Sequence, residues 1–303
     1  MLKRTSFIFW SSAAILTSMA AALSCWSGTG IPDQTGTGET DGYKLVWADY
    51  FDNGTLDPDK WTCEENGFGG GNAELQYYAP GNVSVSTDKD SGRGCLKITA
   101  RKDSLKGKAF TSGRLKTEGK FDFTYGKVEA SIKLPPTANG LWPAFWLLGA
   151  DYQTNLWPSC GEIDILEMGH ADGIREGIQD RYYNGACHWG RYQGESHPNT
   201  VVNGTSPYSL QDGDFHLYTL VWEPEHLSIW LDKDKAPERE PYFTLDIRDL
   251  SWFHHDYFII LNLVVGGFFT GILDPEEITA LNGGPAVMEV DFVKVYQRES
   301  SSI

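Results

Sequence analysis

Period-two alternation runs through this chain and restricts its fold more than any other feature. Val128, Ala130, Ile132 and Leu134 alternate with Lys127, Glu129, Ser131 and Lys133, so one face of an extended segment is apolar and the other polar. Leu227, Ile229 and Leu231 alternate with Ser228 and Trp230 in the same way. Phe258 to Val265 is apolar apart from Asn262, as a strand covered on both faces must largely be, and Gly266-Gly267 ends the run. Turn clusters such as Asp52-Asn53-Gly54, Thr137-Ala138-Asn139-Gly140 and Asn282-Gly283-Gly284-Pro285 separate the runs. No segment keeps helical periodicity for three turns. Many strands joined by turns predict an all-β sandwich or barrel.

The patterned region has definable limits. Lys3-Arg4, the apolar run Phe7 to Leu23 and the small residues before Cys25 have the layout of a signal peptide over residues 1–24. A single transmembrane anchor is the competing reading, and the serines and threonine within the run weigh against it. Ala22-Leu23-Ser24-Cys25 resembles the box of a bacterial lipoprotein. That implies a lipid on Cys25 and an exported protein held at an outer membrane or cell surface. Residues 25–42, rich in Gly, Thr, Asp and Ser, read as a flexible linker. Residues 43–298 show no second linker or internal repeat and are expected to form one domain, followed by a short tail, 299–303.

A net charge of −16 argues against nucleic acid as a partner, because phosphates demand basic patches. Aromatic residues make up 13% of the chain and include 11 Trp, which serve either as core or as stacking surfaces for sugar rings. Beyond Cys25, the four cysteines Cys63, Cys95, Cys160 and Cys187 permit two disulfides in three pairings, or buried free thiols. They show no zinc-ligand spacing.

The chemistry concentrates in Trp157-Pro158-Ser159-Cys160-Gly161-Glu162-Ile163-Asp164-Ile165-Leu166-Glu167-Met168-Gly169. Side chains alternate across a strand, so Glu162 and Asp164 project from one face while Ile163 and Ile165 enter the core. Strict alternation would also turn Glu167 into the core, where an ionised carboxylate is prohibitively costly. One extra residue at Ile165-Leu166, a β-bulge, returns Glu167 to the side of Asp164. Three acids on one exposed face repel one another and spread their pKa values. That suits catalysis by one ionised and one protonated carboxyl. On spacing alone the pattern is weak, and chance is the competing explanation.

Gly161-Glu162-Ile163-Asp164-Ile165-Leu166-Glu167 resembles the signature of glycoside hydrolase family 16 in its bulged form, typical of laminarinase-like members; other branches lack the extra residue. Further blocks agree in order: Asn72-Ala73-Glu74-Leu75-Gln76-Tyr77-Tyr78, Ser112-Gly113-Arg114, Gly140-Leu141-Trp142-Pro143-Ala144-Phe145-Trp146, Phe215-His216-Leu217-Tyr218 and Leu261-Asn262-Leu263-Val264-Val265-Gly266-Gly267. The resemblance spans about Tyr43 to Tyr296. It implies a jelly-roll β-sandwich of two curved antiparallel sheets with a concave substrate cleft. It further implies an endo-acting, retaining hydrolase of β-1,3 or mixed β-1,3/1,4-glucan. Glu162 would be the nucleophile, Glu167 the acid/base, and Asp164 would tune both. Such double displacement needs the two glutamate carboxyls about 5–5.5 Å apart.

On the same resemblance Trp142 and Trp146, which fall on one face with Ala144 between them, form a sugar platform. Asn72, Glu74, Arg114, His188 and Asn262 become sugar contacts, a structural hydrogen bond being the alternative for each. His188 has no second histidine at ligand spacing, which argues against a metal role. A structural calcium on the outer face is implied at Asp291, although the family's early Asp-Glu-Phe block reads Asp49-Tyr50-Phe51 here. No cofactor is implied for catalysis, and a monomer acting on β-glucan is expected. A non-catalytic β-glucan-binding surface protein, or a hydrolase of another β-linked polysaccharide such as a galactan, stays open.

Overall fold

The computed structural model describes residues 42–87, 93–194 and 196–298. The expected leader, Cys25, the linker up to residue 41 and the tail 299–303 lie outside the described residues. Two antiparallel sheets face each other. The first runs in the order β15 (Phe243–Asp246), β14 (His226–Leu231), β13 (His216–Trp222), β8 (Gly126–Lys133), β17 (Ala286–Arg298), β5 (Gly94–Ala100), β4 (Val83–Thr87), and β1 (Tyr43–Asp49) also pairs with β17. The second runs β12 (Asn199–Thr205), β11 (Tyr182–His188), β10 (Glu162–Met168), β9 (Leu141–Gly149), β16 (Tyr257–Val265), β7 (Arg114–Lys116), β2 (Thr62–Cys63). A short parallel pair, β3 (Gln76–Tyr78) and β6 (Phe110–Ser112), completes the strands. The fold is the expected jelly-roll β-sandwich.

The alternating residues decide which faces meet. Val128, Ala130 and Ile132 of the first sheet and Phe145, Leu147, Ile163, Ile259 and Leu261 of the second are fully buried in one core between the sheets. Burying each large side chain there stabilises the fold by about 1.5–3 kcal/mol. Strand β16 is buried along its whole length, as its apolar run, interrupted only by Asn262, requires. Its second face is covered because Phe258 and Ile260 join Leu148 and Cys160 in a smaller cluster on the far side of the sheet, against which Trp146 and Trp157 pack.

The one α-helix among the described residues, α1 (Ala171–Glu176), follows β10 directly. His170 caps it by accepting from the Asp172 N–H at 3.1 Å, and Gly177 ends it at φ +68°. Among the described residues Cys63, Cys95, Cys160 and Cys187 form no disulfide with one another, and their thiols pack in or against the core.

The calcium expectation at Asp291 needs correction. Arg93 donates from Nη2 to both carboxylate oxygens of Asp291, at 2.8 and 2.7 Å. A divalent cation would have to share that carboxylate with a guanidinium at contact distance, so this donor set does not fit calcium. The arginine supplies the positive charge that a cation would bring.

Candidate active site

Strand β10 carries the bulge that parity demands. Against β9, Asp164 faces Trp146 and Leu166 faces Phe145; against β11, Asp164 faces Ala186 and Glu167 faces Asn184. The register therefore slips at Ile165-Leu166. Both of these side chains enter the core, together with Ile163. Glu162, Asp164 and Glu167 share the opposite face. Cross-strand pairing sets their neighbours: Glu162 lies between His188 and Leu148, and Glu167 lies between Asn184 and Ala144. Ala144 in turn faces Asn262, which faces Arg114 on β7.

That face is more enclosed than alternation alone suggests. Asp164 is only 5% accessible, and Glu162 and Glu167 are half-buried. All three carboxyls are held above the ordinary carboxylate range. For Glu162 the causes are burial and then the charge of Glu167, opposed by Arg114. For Asp164 they are burial and then its two glutamate neighbours, with no compensating donor. Glu167 is raised by burial and eased by the indole of Trp142. Close carboxyls in a dry site cannot all ionise, so the set keeps protons at neutral pH. Asp164 has the strongest reason to hold one. Arg114 favours the ionised form of Glu162, yet burial and Glu167 push Glu162 up to about 8 and burial pushes Glu167 up to about 7, so the pair shares its charge.

The tryptophans act differently from each other. Trp142 donates its indole N–H to Glu167 Oε1 at 3.0 Å and stacks on Phe269 with ring centroids 4.5 Å apart. It is therefore largely buried and orients the carboxyl, and one of its faces is already covered. Trp146 donates to Asn262 Oδ1 at 2.7 Å and carries the Arg114 guanidinium over its ring at 4.8 Å. Arg114 is anchored by Glu64, with Nε 3.2 Å from Oε1. Asn262, Trp146 and Arg114 thus form one locked group beside the acids.

His188 is the corrected member of the set. Its Nδ1 lies 2.9 Å from Nε2 of His197, so a second histidine does adjoin it, brought round by the β11–β12 hairpin. Its Nε2 lies 3.5 Å from Asp164 Oδ2. Burial, and then His197, push the His188 imidazole down to about 4, which keeps it neutral at physiological pH. Glu162, Asp164 and His188 each offer one ligand atom, all within 4.8 Å of one another, and form the one such group among the described residues. A metal there would occupy the very carboxyls available for acid–base work.

Glu74 and Asn72 precede β3, and the charge of Glu74 reaches Arg114. Glu74 is 3% accessible, and its Oε2 accepts from Gln76 at 2.6 Å and from the Tyr78 hydroxyl at 3.0 Å. Its carboxylate braces the β3 segment. Asn72 sits in a neighbouring turn whose carbonyl accepts from the Phe268 N–H at 2.8 Å. Sequence reasoning passed over Trp157, Asn184, His197 and Phe269. The indole N–H of Trp157 is directed at Glu162 and favours its ionised form, and the amide oxygen of Asn184 is buried without a protein partner. Trp157 lies in the quoted block, but nothing local marks it as a donor facing Glu162.

Comparison with known proteins gives consistent likenesses. Residues 72–242 match Glycosyl hydrolases family 16. A β-glucanase from Rhodothermus marinus is 34% identical over 266 residues, covering 84% of this chain and 85% of that protein. Glucan endo-1,3-β-glucosidase A1 of Niallia circulans is 32% identical over 282 residues; these cover 85% of this chain but 38% of the longer relative. Among solved structures, the family 16 protein of the Bacteroides ovatus mixed-linkage glucan PUL, in complex with a G4G4G3G product, is 40% identical with a TM-score of 0.73. That match covers 82% of this chain and 99% of the other.

Proposed function

Because this chain belongs to glycosyl hydrolases family 16, we propose that it cleaves β-1,3/1,4-linked glucan internally and with retention, using Glu162 as nucleophile and Glu167 as acid/base. The observation that carries the assignment is the slip at Ile165-Leu166, which places both glutamates on one enclosed face with Asp164 between them. Glu162, the carboxyl that Arg114 favours as an anion, attacks the anomeric carbon. Protonated Glu167, oriented by Trp142, gives its proton to the leaving oxygen. A glycosyl–Glu162 ester results. Glu167, now ionised, takes a proton from water, which releases the sugar and regenerates both groups.

Asp164 holds a proton between the two and relieves the repulsion that a third charge would add. Trp146 and Asn262 offer the sugar an apolar face and an amide, and the N–H of Trp157 is a donor to the nucleophile Glu162. The likeness to the Bacteroides ovatus protein, solved with a G4G4G3G product, supports mixed-linkage glucan as the substrate.

The test is product analysis on cereal mixed-linkage glucan and on laminarin in parallel, with wild type and Glu162→Gln. Short oligosaccharides released from either polymer by the wild type, and abolished in the variant, are expected. Binding of glucan without any release would identify a recognition protein instead.

A further inference from the structure

We propose that Tyr242 is a positioning residue that pins the β10 bulge from behind and so holds Glu167 in the cleft; this rests on the assignment of Glu167 as acid/base. A bulge that re-aims a side chain has a weak point of its own. Its extra residue drops out of the ladder, and the carbonyl freed there needs another donor. Here Asp164 and Leu166 find partners on β9 while Ile165 is passed over, and on β11 both Ile165 and Leu166 stand opposite Gly185 alone. Ile165 is fully buried. The hydroxyl of Tyr242 donates to the Ile165 carbonyl.

Three further features hold the tyrosine to that task. Its own N–H donates to the Ile229 carbonyl at 2.8 Å, which fixes its backbone against β14 in the opposite sheet. Its ring meets Tyr183 edge-on, with centroids 4.7 Å apart. The ring also passes over Gly185, where a Cβ would stand 2.9 Å from Cε2. The residue facing the bulge is therefore one whose missing side chain makes room for the ring. Burial, then Tyr218 and Tyr183, and then the charge of Glu167 push the Tyr242 hydroxyl well up, so it stays a donor. A contact between the two sheets thus reaches the acid/base through one carbonyl.

The test uses the full chain with Tyr242→Phe, which removes only the hydroxyl, and Gly185→Ala, which displaces the ring. Turnover is measured on mixed-linkage glucan and on a dinitrophenyl β-glycoside of a glucan oligosaccharide, whose leaving group needs no proton. In both variants kcat on glucan is expected to fall about 10- to 100-fold, as misplacing a reacting group by about 1 Å does, with KM within about twofold. The dinitrophenolate burst should stay near wild type, and azide should speed its turnover by replacing the water that Glu167 no longer activates.

Equal losses on both substrates, wild-type rates on glucan, or unfolding of both variants would each overturn the proposal. In the last case the tyrosine would serve the fold and not the acid. Absence of glucan turnover in the wild type would instead sink the assignment of Glu167, and the proposal with it.

Discussion

The indole N–H of Trp142 stabilises the ionised form of Glu167, so its effect on pH dependence has a fixed sign. Trp142→Phe keeps a ring against Phe269 and removes the donor. Without it Glu167 holds its proton to higher pH, and the alkaline limb of kcat/KM moves upward. The acid is then also less well aimed, and kcat is expected to fall about tenfold. A pH–rate profile that keeps its alkaline limb in place would refute this. Asp232 gives a second residue-scale prediction. It accepts from His216 at 2.7 Å, the Leu217 N–H at 2.9 Å and the Tyr208 hydroxyl at 2.8 Å, and these bonds hold it down to about 2 against an ordinary 3.8. A depressed carboxyl contributes stability that is full above its unfolded value and lost as pH falls through the folded one. Asp232→Asn should therefore destabilise by roughly 2 kcal/mol near neutral pH, with the gap to wild type closing toward pH 2. Denaturant melts at several pH values would read it.

Among the elements, β17 ties the termini of the sandwich to the first sheet, and Arg93–Asp291 clamps it at its own register slip between Val290 and Phe292. Arg93→Ala leaves a half-buried carboxylate without the guanidinium nitrogen that both its oxygens share and should cost about 1–3 kcal/mol. The wild-type Tm should be indifferent to a chelator; a clear fall on chelation would place a cation there after all. These cases mark what local sequence could reveal. The β10 bulge was legible because a charge on the wrong face of a strand has one cheap remedy. Strand β16 was legible from an apolar run broken only by Asn262. The Arg93–Asp291 pair joins residues 198 apart, and His188 meets His197 only because a hairpin folds back between them. Tyr242 reaches Ile165 from the other sheet. Periodicity reports which face a side chain takes, and says nothing of which distant segment that face will meet. The platform of two indoles shows the same limit: alternation put both on the cleft side, but only the fold showed Phe269 covering one face of Trp142.

At the scale of the whole molecule, the distribution of charge makes a prediction about stability. The three cleft carboxyls are all raised, so the folded state holds more protons than the unfolded one just above the ordinary carboxylate values. Their joint contribution falls as pH rises through that window, and Asp164→Asn should flatten the fall. We also propose that the chain is tethered through Cys25: Cys25→Ala should move activity from the membrane fraction to the soluble one, and an unchanged distribution would dismiss the lipid. The bulge has a last consequence, in the currency of inheritance. Because Ile165 and Leu166 both point inward, an in-frame loss of one codon there restores plain alternation, and all three acids keep their face. A gain of one codon at the same place also restores even parity, but sets Glu167 four strand positions beyond Asp164, about 13 Å along the strand and out of reach of the shared site. Chain length on this strand can thus drift one way with its chemistry intact and not the other. A lineage that took the shorter path would leave Tyr242 without a carbonyl to hold, free to become something else.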